Sequence, residues 1–221
     1  MFIAENLNNI KSQLPANVTL VAVSKTKPNE DILRAYNVGQ RIFGENKVQE
    51  LVNKFEALPK DIEWHMIGHL QTNKVKYIAP FIHLIHSIDS IKLLKEVNKE
   101  AKKNKRTIKC LLQFHIAQET TKFGFSLDEV KDFFSSDEFI ELNNIELCGV
   151  MGMATFSDNK ELVRDEFQLL HNIFHILKSH YFKFNPAFKE ISMGMSDDYQ
   201  LAMEEGSTMV RIGSTLFGGR N

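Results

Sequence analysis

Short apolar runs and longer stretches of helical periodicity alternate about eight times along the 221 residues of this chain. Such alternation, without a linker rich in Pro, Gly or Ser, is typical of βα units that pair into a parallel sheet. We therefore predict an α/β protein that forms a single (β/α)8 TIM barrel over residues 1–221, with an extra N-terminal helix at about 3–14. The alternative is a doubly wound open sheet, but the first βα turn lacks the GxGxxG fingerprint.

The predicted strands are the apolar runs, and the helices between them are recognised by apolar residues spaced three or four apart. The strands are expected at 19–24, 41–44, 63–67, 83–88, 108–116, 147–153, 190–193 and 209–212. Asp89 or Ser90 is expected to cap one helix, and Ser196 another that ends at Gly206.

The charge balance gives no reason to expect nucleic acid or a membrane as a partner. Lys and Arg number 27 against 28 Asp and Glu, a net charge of -1. No stretch approaches the ~18 apolar residues of a membrane span, and the N-terminus lacks a basic leader. Cys110 and Cys148 lie in apolar runs without CxxC spacing, so we expect buried thiols in a reducing, cytoplasmic compartment.

In a barrel of this kind the functional residues follow the carboxyl ends of the strands. The candidates selected by this rule are Lys25, Asn46, His65, residues 151–155, Ser192, Met193, Gly194, Arg211, Gly213 and Ser214. Strand eight closes against strand one, so Lys25 and Arg211 are expected at the same rim. Taken alone, Lys25 would by default be interpreted as an ordinary surface lysine at a strand end.

The residues after strands seven and eight resemble a phosphate-binding turn. Gly213 and Ser214 offer backbone N–H groups, and Ser192 and Ser214 offer hydroxyls. A tight turn that uses these residues for backbone reasons is the alternative. Arg211 should point into the barrel, where it needs a partner, and a structural ion pair is one possibility. Beside a lysine and a phosphate cup, however, Arg211 suits the ring nitrogen of pyridoxal 5'-phosphate, with Lys25 as its Schiff-base lysine.

Six segments from Val21 onward resemble the pyridoxal phosphate homeostasis proteins, which share the alanine racemase N-terminal barrel fold. The segments are VAVSKTKP, FGEN, WHMIGHLQTNK, ISMGMSDD, GSTMVRIGS and LFGGR. The resemblance covers about 18–220, nearly the whole chain. It implies a cofactor-binding set of Lys25, Asn46, Ser192, Met193, Arg211, Gly213 and Ser214. Two positions depart from the family pattern: Lys47 stands where an aromatic residue is common, and Ser214 where threonine is common.

The resemblance implies a protein that sequesters and delivers the vitamin B6 cofactor, with apo-enzymes as candidate recipients. Arginine does not protonate a pyridine nitrogen, so the ring would be a weak electron sink. The chain stops at Asn221 and has no tyrosine after Tyr199, so we expect neither a second domain nor an opposing base, and we expect a monomer. The alternatives are a pyridoxal phosphate-dependent racemase and a pure interaction protein in which the barrel is a platform. His171 and His175 lack a third ligand or an HExxH context, so no metal site is predicted.

Overall fold

A computed structural model describes residues 2–118 and 123–219, and its eight strands form one closed parallel barrel in the order β1 to β8. The strands are β1 Thr19–Val23, β2 Ile42–Glu45, β3 Glu63–Met66, β4 Leu84–Ile88, β5 Ile108–Gln113, β6 Ile145–Met151, β7 Glu190–Ser192 and β8 Met209–Ile212. The predicted (β/α)8 barrel is confirmed, and the open-sheet alternative is wrong.

The helices surround this barrel and bury their apolar faces against it. They are α1 Phe2–Gln13, α2 Asn29–Asn37, α3 Val48–Ala57, α4 Val75–Ile78, α5 Ile91–Lys103, α6 Leu127–Phe134, α7 Asp137–Ile140, α8 Lys160–His180, α9 Tyr199–Glu204 and α10 Ser214–Phe217. The extra N-terminal helix is confirmed as α1, whose Ile3, Leu7 and Ile10 are buried. Ser90 caps α5 as predicted, because its hydroxyl accepts a hydrogen bond from the Leu93 N–H.

Several boundaries differ from the sequence prediction. The helix predicted between the third and fourth strands is a 3₁₀ turn at Thr72–Lys74 followed by the short α4. Strand β5 ends at Gln113 instead of residue 116, because Phe114 leaves the ladder and forms an isolated bridge with Phe125. The short helices α7 and α10 have too few residues to show a periodic pattern, so the apolar spacing does not predict them.

The prediction that Ser196 caps a helix is wrong. Helix α9 begins three residues later, at Tyr199. The Asp198 carboxylate instead accepts a hydrogen bond from the Met195 N–H at 2.5 Å, and this bond closes a turn over residues 195–198. Gly194, which precedes the turn, has φ +91°, in the left-handed region that glycine adopts readily. Ser196 is thereby left in a loop at the carboxyl end of β7.

Closure of the barrel fixes the register between its first and last strands, which carry the residues around the site. Strand β1 pairs with β8 so that Val21 lies opposite Arg211. Because both strands run in the same direction, the loops that follow them emerge side by side. A second apolar cluster fills the barrel interior and is separate from the larger core between strands and helices; it comprises Val21, Leu84, Leu111, Cys148, Met151 and Met209.

Both cysteines are buried free thiols, as predicted. Burial raises the pKa of the Cys148 thiol to about 12 and also raises the pKa of Cys110, so neither is a thiolate near neutral pH. Within the described part of the chain, none of the helices combines the length and apolar character needed to span a membrane.

Candidate functional site

A cavity of about 390 Å³ opens at the carboxyl ends of the strands. It is lined by residues near the carboxyl ends of β1, β5 and β8 and by residues of the loops that follow β1, β2, β3, β5, β6, β7 and β8. The polar lining residues are Lys25, Thr26, Lys27, Asn46, His69, Gln113, Ser196, Asp197, Arg211 and Ser214. The others are Val23, Ile67, Gly68, Phe123, Met153, Met195, Gly213 and Gly218.

Lys25 sits in a tight turn immediately after β1 and is half-buried. The Lys27 N–H donates to the Ser24 carbonyl at 3.0 Å, so the chain reverses around Lys25. Thr26 has φ +64°, which is unfavourable for a β-branched residue. Its N–H donates to Glu50 Oε1 at 2.6 Å, and this bond helps to hold the strained backbone in place.

A buried ion-pair network lies beneath this turn. Lys54 is only 5% exposed. Its ammonium donates to the Ser24 carbonyl at 2.7 Å, to Glu45 Oε1 at 2.8 Å and to Glu50 Oε1 at 2.7 Å. Ser24 Oγ donates to the same Glu45 oxygen at 2.5 Å. Burial raises the pKa of Glu45, although the Lys54 charge and the hydrogen bonds from Lys54 and Ser24 oppose that rise.

Asn46 follows β2 and lies against the start of the loop after β3. A side chain at Gly68 would place its Cβ 2.6 Å from the Asn46 carbonyl oxygen, so only glycine permits this approach. Asn46 therefore has its position fixed by the neighbouring loop. Lys47, the departure from the family pattern, is exposed and does not line the cavity.

The loops after β7 and β8 are joined by a hydrogen bond. The Gly213 N–H donates to Ser196 Oγ at 3.2 Å. Gly213 also lies close to β1, because an added Cβ would be 3.2 Å from Val23 Cβ. The hydroxyls of Ser196 and Ser214 and the backbone at Gly213 thus line one corner of the cavity.

Arg211 is the buried cation of the site, only 4% exposed. Its Nη1 donates to Ser192 Oγ at 2.6 Å and its Nη2 donates to the Gly152 carbonyl at 3.0 Å. Burial lowers the pKa of Arg211 to about 10, which leaves it charged at neutral pH. Its partners are a hydroxyl and a carbonyl rather than the carboxylate of a structural ion pair.

A chain of buried side chains continues from Arg211 into the barrel. Ser192 Oγ lies 2.9 Å from His86 Nδ1, and His86 Nε2 lies 3.0 Å from His65 Nδ1. Burial is the main cause that lowers the pKa of His65 to about 3 and that of His86 well below its ordinary value. Both imidazoles are therefore neutral at physiological pH.

The structure brings together five of the seven cofactor-binding residues that the sequence predicts. These five, which line the cavity, are Lys25, Asn46, Arg211, Gly213 and Ser214. Ser192 and Met193 are fully buried and do not line it. Ser192 belongs to β7 itself and its hydroxyl is engaged with Arg211 and His86, so it is a partner of Arg211 rather than part of the cavity wall. His65, expected at this rim, lies in the barrel interior.

Sequence reasoning missed Ser196, which lines the cavity from the same ISMGMSDD segment. Ser196 lies just beyond a strand end, where site residues are expected. However, a serine followed by two acids, here Asp197 and Asp198, is also typical of a helix N-terminus. Arg220, the last residue of the LFGGR segment, lies outside the described residues.

His69 was also missed as a site residue. Its Nδ1 lies 2.8 Å from Asp89 Oδ2, and its ring stacks on Phe123 with the centroids 4.0 Å apart. These contacts orient the imidazole at the mouth of the cavity, which it lines together with Phe123.

Comparison with known proteins gives a consistent result. The family model for the alanine racemase N-terminal domain matches residues 2–221. The pyridoxal phosphate homeostasis protein of Aquifex aeolicus is 43% identical over 202 residues, which cover 91% of this chain and 86% of that protein. PipY of Synechococcus elongatus, solved without PLP, superposes with a TM-score of 0.91 at 34% identity, covering 98% of this chain and 100% of that one. The structure of PipY with PLP bound superposes with a TM-score of 0.87 at the same identity and coverage.

Proposed function

This chain belongs to the pyridoxal phosphate homeostasis protein family, and from that premise we propose that it binds pyridoxal 5'-phosphate, holds it through Lys25 and releases it to apo-enzymes. The observation that carries the proposal is the meeting of Lys25, Arg211 and the Ser196–Gly213–Ser214 corner in one cavity. An amine, a cation and a phosphate-binding corner are the three features that this ligand requires.

The donor set of the cavity fits the ligand. Pyridoxal 5'-phosphate supplies an aldehyde that condenses reversibly with a primary amine to give a Schiff base and water. Lys25 is the amine, held by the turn between Ser24 and Lys27. The hydrogen bonds of Arg211 use Nη1 and Nη2, so its Nε–H remains to donate to the ring nitrogen.

The hydroxyls of Ser196 and Ser214 are assigned to the phosphate. Hydrogen bonds to a charged acceptor are shorter and stronger than neutral ones, so two hydroxyls and nearby backbone N–H groups make an effective anion site. The Ser196 hydroxyl, which already accepts from the Gly213 N–H, still has its proton to donate. Asn46 borders the remaining side of the ligand.

The same residues favour holding the cofactor over transforming substrates with it. The Arg211 guanidinium keeps its proton, so it does not make the ring a strong electron sink. No tyrosine lines the cavity in the described part of the chain. The homeostasis function of the named relatives agrees with a binding and delivery role.

A transfer assay tests this function. The loaded protein is mixed with an apo-enzyme that needs pyridoxal 5'-phosphate, and recovery of the recipient's activity is followed beside direct assays for amino-acid turnover. We expect the recipient enzyme to regain activity faster with the loaded protein than with a protein-free dialysate, which contains only the free ligand. We expect no amino-acid turnover by the loaded protein itself. Recovery no faster than with that dialysate would refute delivery.

A second candidate, slow racemase-type proton exchange, is favoured by the His69–Asp89 pair. A carboxylate at Nδ1 orients the imidazole and favours the tautomer in which Nδ1 carries the proton and Nε2 has the lone pair. Exchange of the α-hydrogen of an amino acid in deuterated water measures this activity directly. If the loaded protein exchanges the α-hydrogen and His69→Ala abolishes that exchange, the chain is an enzyme; if neither protein exchanges it, the delivery function stands alone.

A further inference from the structure

The opposite end of the barrel holds a second cavity, about 470 Å³ in volume. It is lined by the amino-terminal ends of the strands, including Thr19, Ile42, Glu63 and Met209. None of its lining residues belongs to the cavity around Lys25. The binding of pyridoxal 5'-phosphate therefore leaves this cavity without an assigned use.

We propose that Glu63, His65 and His83 bind a divalent transition-metal ion of the zinc class in this cavity. The side chains come from β3 and from His83, the residue immediately before β4. One ligand atom from each lies within 4.8 Å of the other two. Two imidazoles and a carboxylate are a zinc ligand set that leaves a fourth position for water.

The spacing of the half-exposed pair already suits a metal. His83 Nε2 lies 3.5 Å from Glu63 Oε2. Bonds of 2.0–2.1 Å in a tetrahedral site place neighbouring ligand atoms about 3.3 Å apart. A small rotation of these two side chains therefore brings both atoms to coordination distance.

The buried histidine supplies independent support. His65 is only 2% exposed, and its Nε2 is buried without a hydrogen-bond partner among the described residues. A buried imidazole nitrogen with no partner is costly, since it has lost its bonds to water. His65 lines the cavity, and a metal ion at Nε2 would satisfy this atom.

The other nitrogen of His65 has a hydrogen-bond partner inside the barrel. Its Nδ1 lies 3.0 Å from His86 Nε2. A hydrogen bond on the second nitrogen fixes the tautomer and the ring orientation of a ligating imidazole. With a metal at Nε2, the Nδ1–H of His65 would donate a hydrogen bond to His86 Nε2, and the Nε2 lone pair would be the metal ligand.

Charge at this end of the barrel sets the strength of the site. The charged residues that line the cavity are Glu63, Glu146, Glu190, Lys109 and Lys189. Of the two lysines, Lys109 opposes metal binding through its field on both histidines. We therefore expect one ion per chain, bound through neutral imidazoles and a single carboxylate.

Metal titration of the untagged full-length protein tests the proposal. After treatment with a chelator, the protein is titrated with Zn²⁺ by calorimetry and with Co²⁺ by absorption, because tetrahedral Co²⁺ gives intense visible bands. We expect one equivalent of either ion. His83→Ala and Glu63→Gln should each weaken binding at least about tenfold, because even the loss of a residue that only hydrogen-bonds a metal ligand costs about 10–100-fold.

These two variants avoid the risk that replacement of buried His65 prevents folding, since the side chains of His83 and Glu63 are 36% and 44% exposed. His175→Ala is the matched control, because His171 and His175 form a second histidine pair on α8 with ring centroids 4.4 Å apart. Lys25→Ala should bind the metal with the same affinity as the wild type. This result would show that metal binding does not depend on the proposed cofactor site. Absence of a stoichiometric site, or binding unchanged in both His83→Ala and Glu63→Gln, would overturn the proposal.

Discussion

The ammonium of Lys54 lies 2.7 Å from the carbonyl oxygen of Ser24, the residue before Lys25. This hydrogen bond joins a buried helix lysine to the backbone that carries the amine of the site. Glu45 and Glu50 each form an ion pair with Lys54. The position of Lys25 thus depends on a buried ion-pair network that makes no contact with the cavity itself.

Replacement of Lys54 by methionine is expected to destabilise the protein. The change leaves the Glu45 carboxylate buried without its cation, which costs about 3–5 kcal/mol. Urea unfolding measures the loss, and the double variant Lys54→Met/Glu45→Gln should recover part of it. Lys47→Met, at an exposed position, should change stability by less than about 0.5 kcal/mol. Equal effects of Lys54→Met and Lys47→Met would show that the network contributes nothing.

Glu45 should give the protein a characteristic dependence of stability on pH. Its pKa in the folded state is raised by burial above the ordinary value of 4.5. The folded protein therefore binds this proton more tightly than the unfolded chain does. The contribution of Glu45 to the free energy of unfolding falls as the pH rises from about 4.5 through the raised pKa.

Glu45→Gln removes this titration. The free energy of unfolding of both proteins is measured at several pH values. The wild-type value minus the Glu45→Gln value should decline as the pH rises through that interval. A difference that grows with pH would contradict the raised pKa.

Ser196 and Ser192 should behave differently when each is replaced by alanine. Ser196→Ala should weaken binding of pyridoxal 5'-phosphate about ten- to a hundredfold, because a hydrogen bond to a charged group is worth about 1.5–3 kcal/mol. Binding of pyridoxal, which lacks the phosphate, should not change. Ser192→Ala should instead lower stability by about 1–3 kcal/mol, since Arg211 and His86 lose a buried partner.

Equilibrium binding of both ligands, followed by absorption, distinguishes the two serines. If Ser192→Ala, rather than Ser196→Ala, selectively lost the preference for the phosphorylated ligand, the assignment of the phosphate corner would be wrong.

The barrel was predictable because its signal is repeated. Each strand is a short apolar run, and errors of a residue or two at its ends do not alter the order of eight parallel strands. The approach of Lys25 to Arg211 followed from closure alone, since β1 must pair with β8. Such a prediction needs topology but no side-chain detail.

The sequence does not decide the position of residues whose surroundings depend on strand register and tertiary hydrogen bonds. Ser192 and Ser196 stand four residues apart in one segment, and sequence alone does not tell which of them leaves the barrel wall. The end of β7 at Ser192 and the turn closed by Asp198 make that choice. His65 was expected at the rim around Lys25, but it lines the cavity at the opposite end of the barrel. Strand β3 has only four residues, so one side chain can reach either end.

Chemical mapping of the ligand attachment point tests the central claim most directly. The protein is loaded with pyridoxal 5'-phosphate, reduced with borohydride and digested, and the modified peptide is identified by mass. We expect a single modification on Lys25, lost in Lys25→Ala and retained in Lys27→Ala. A modification on another lysine, or equal labelling of wild type and Lys25→Ala, would contradict the assignment of Lys25 as the residue that holds the cofactor.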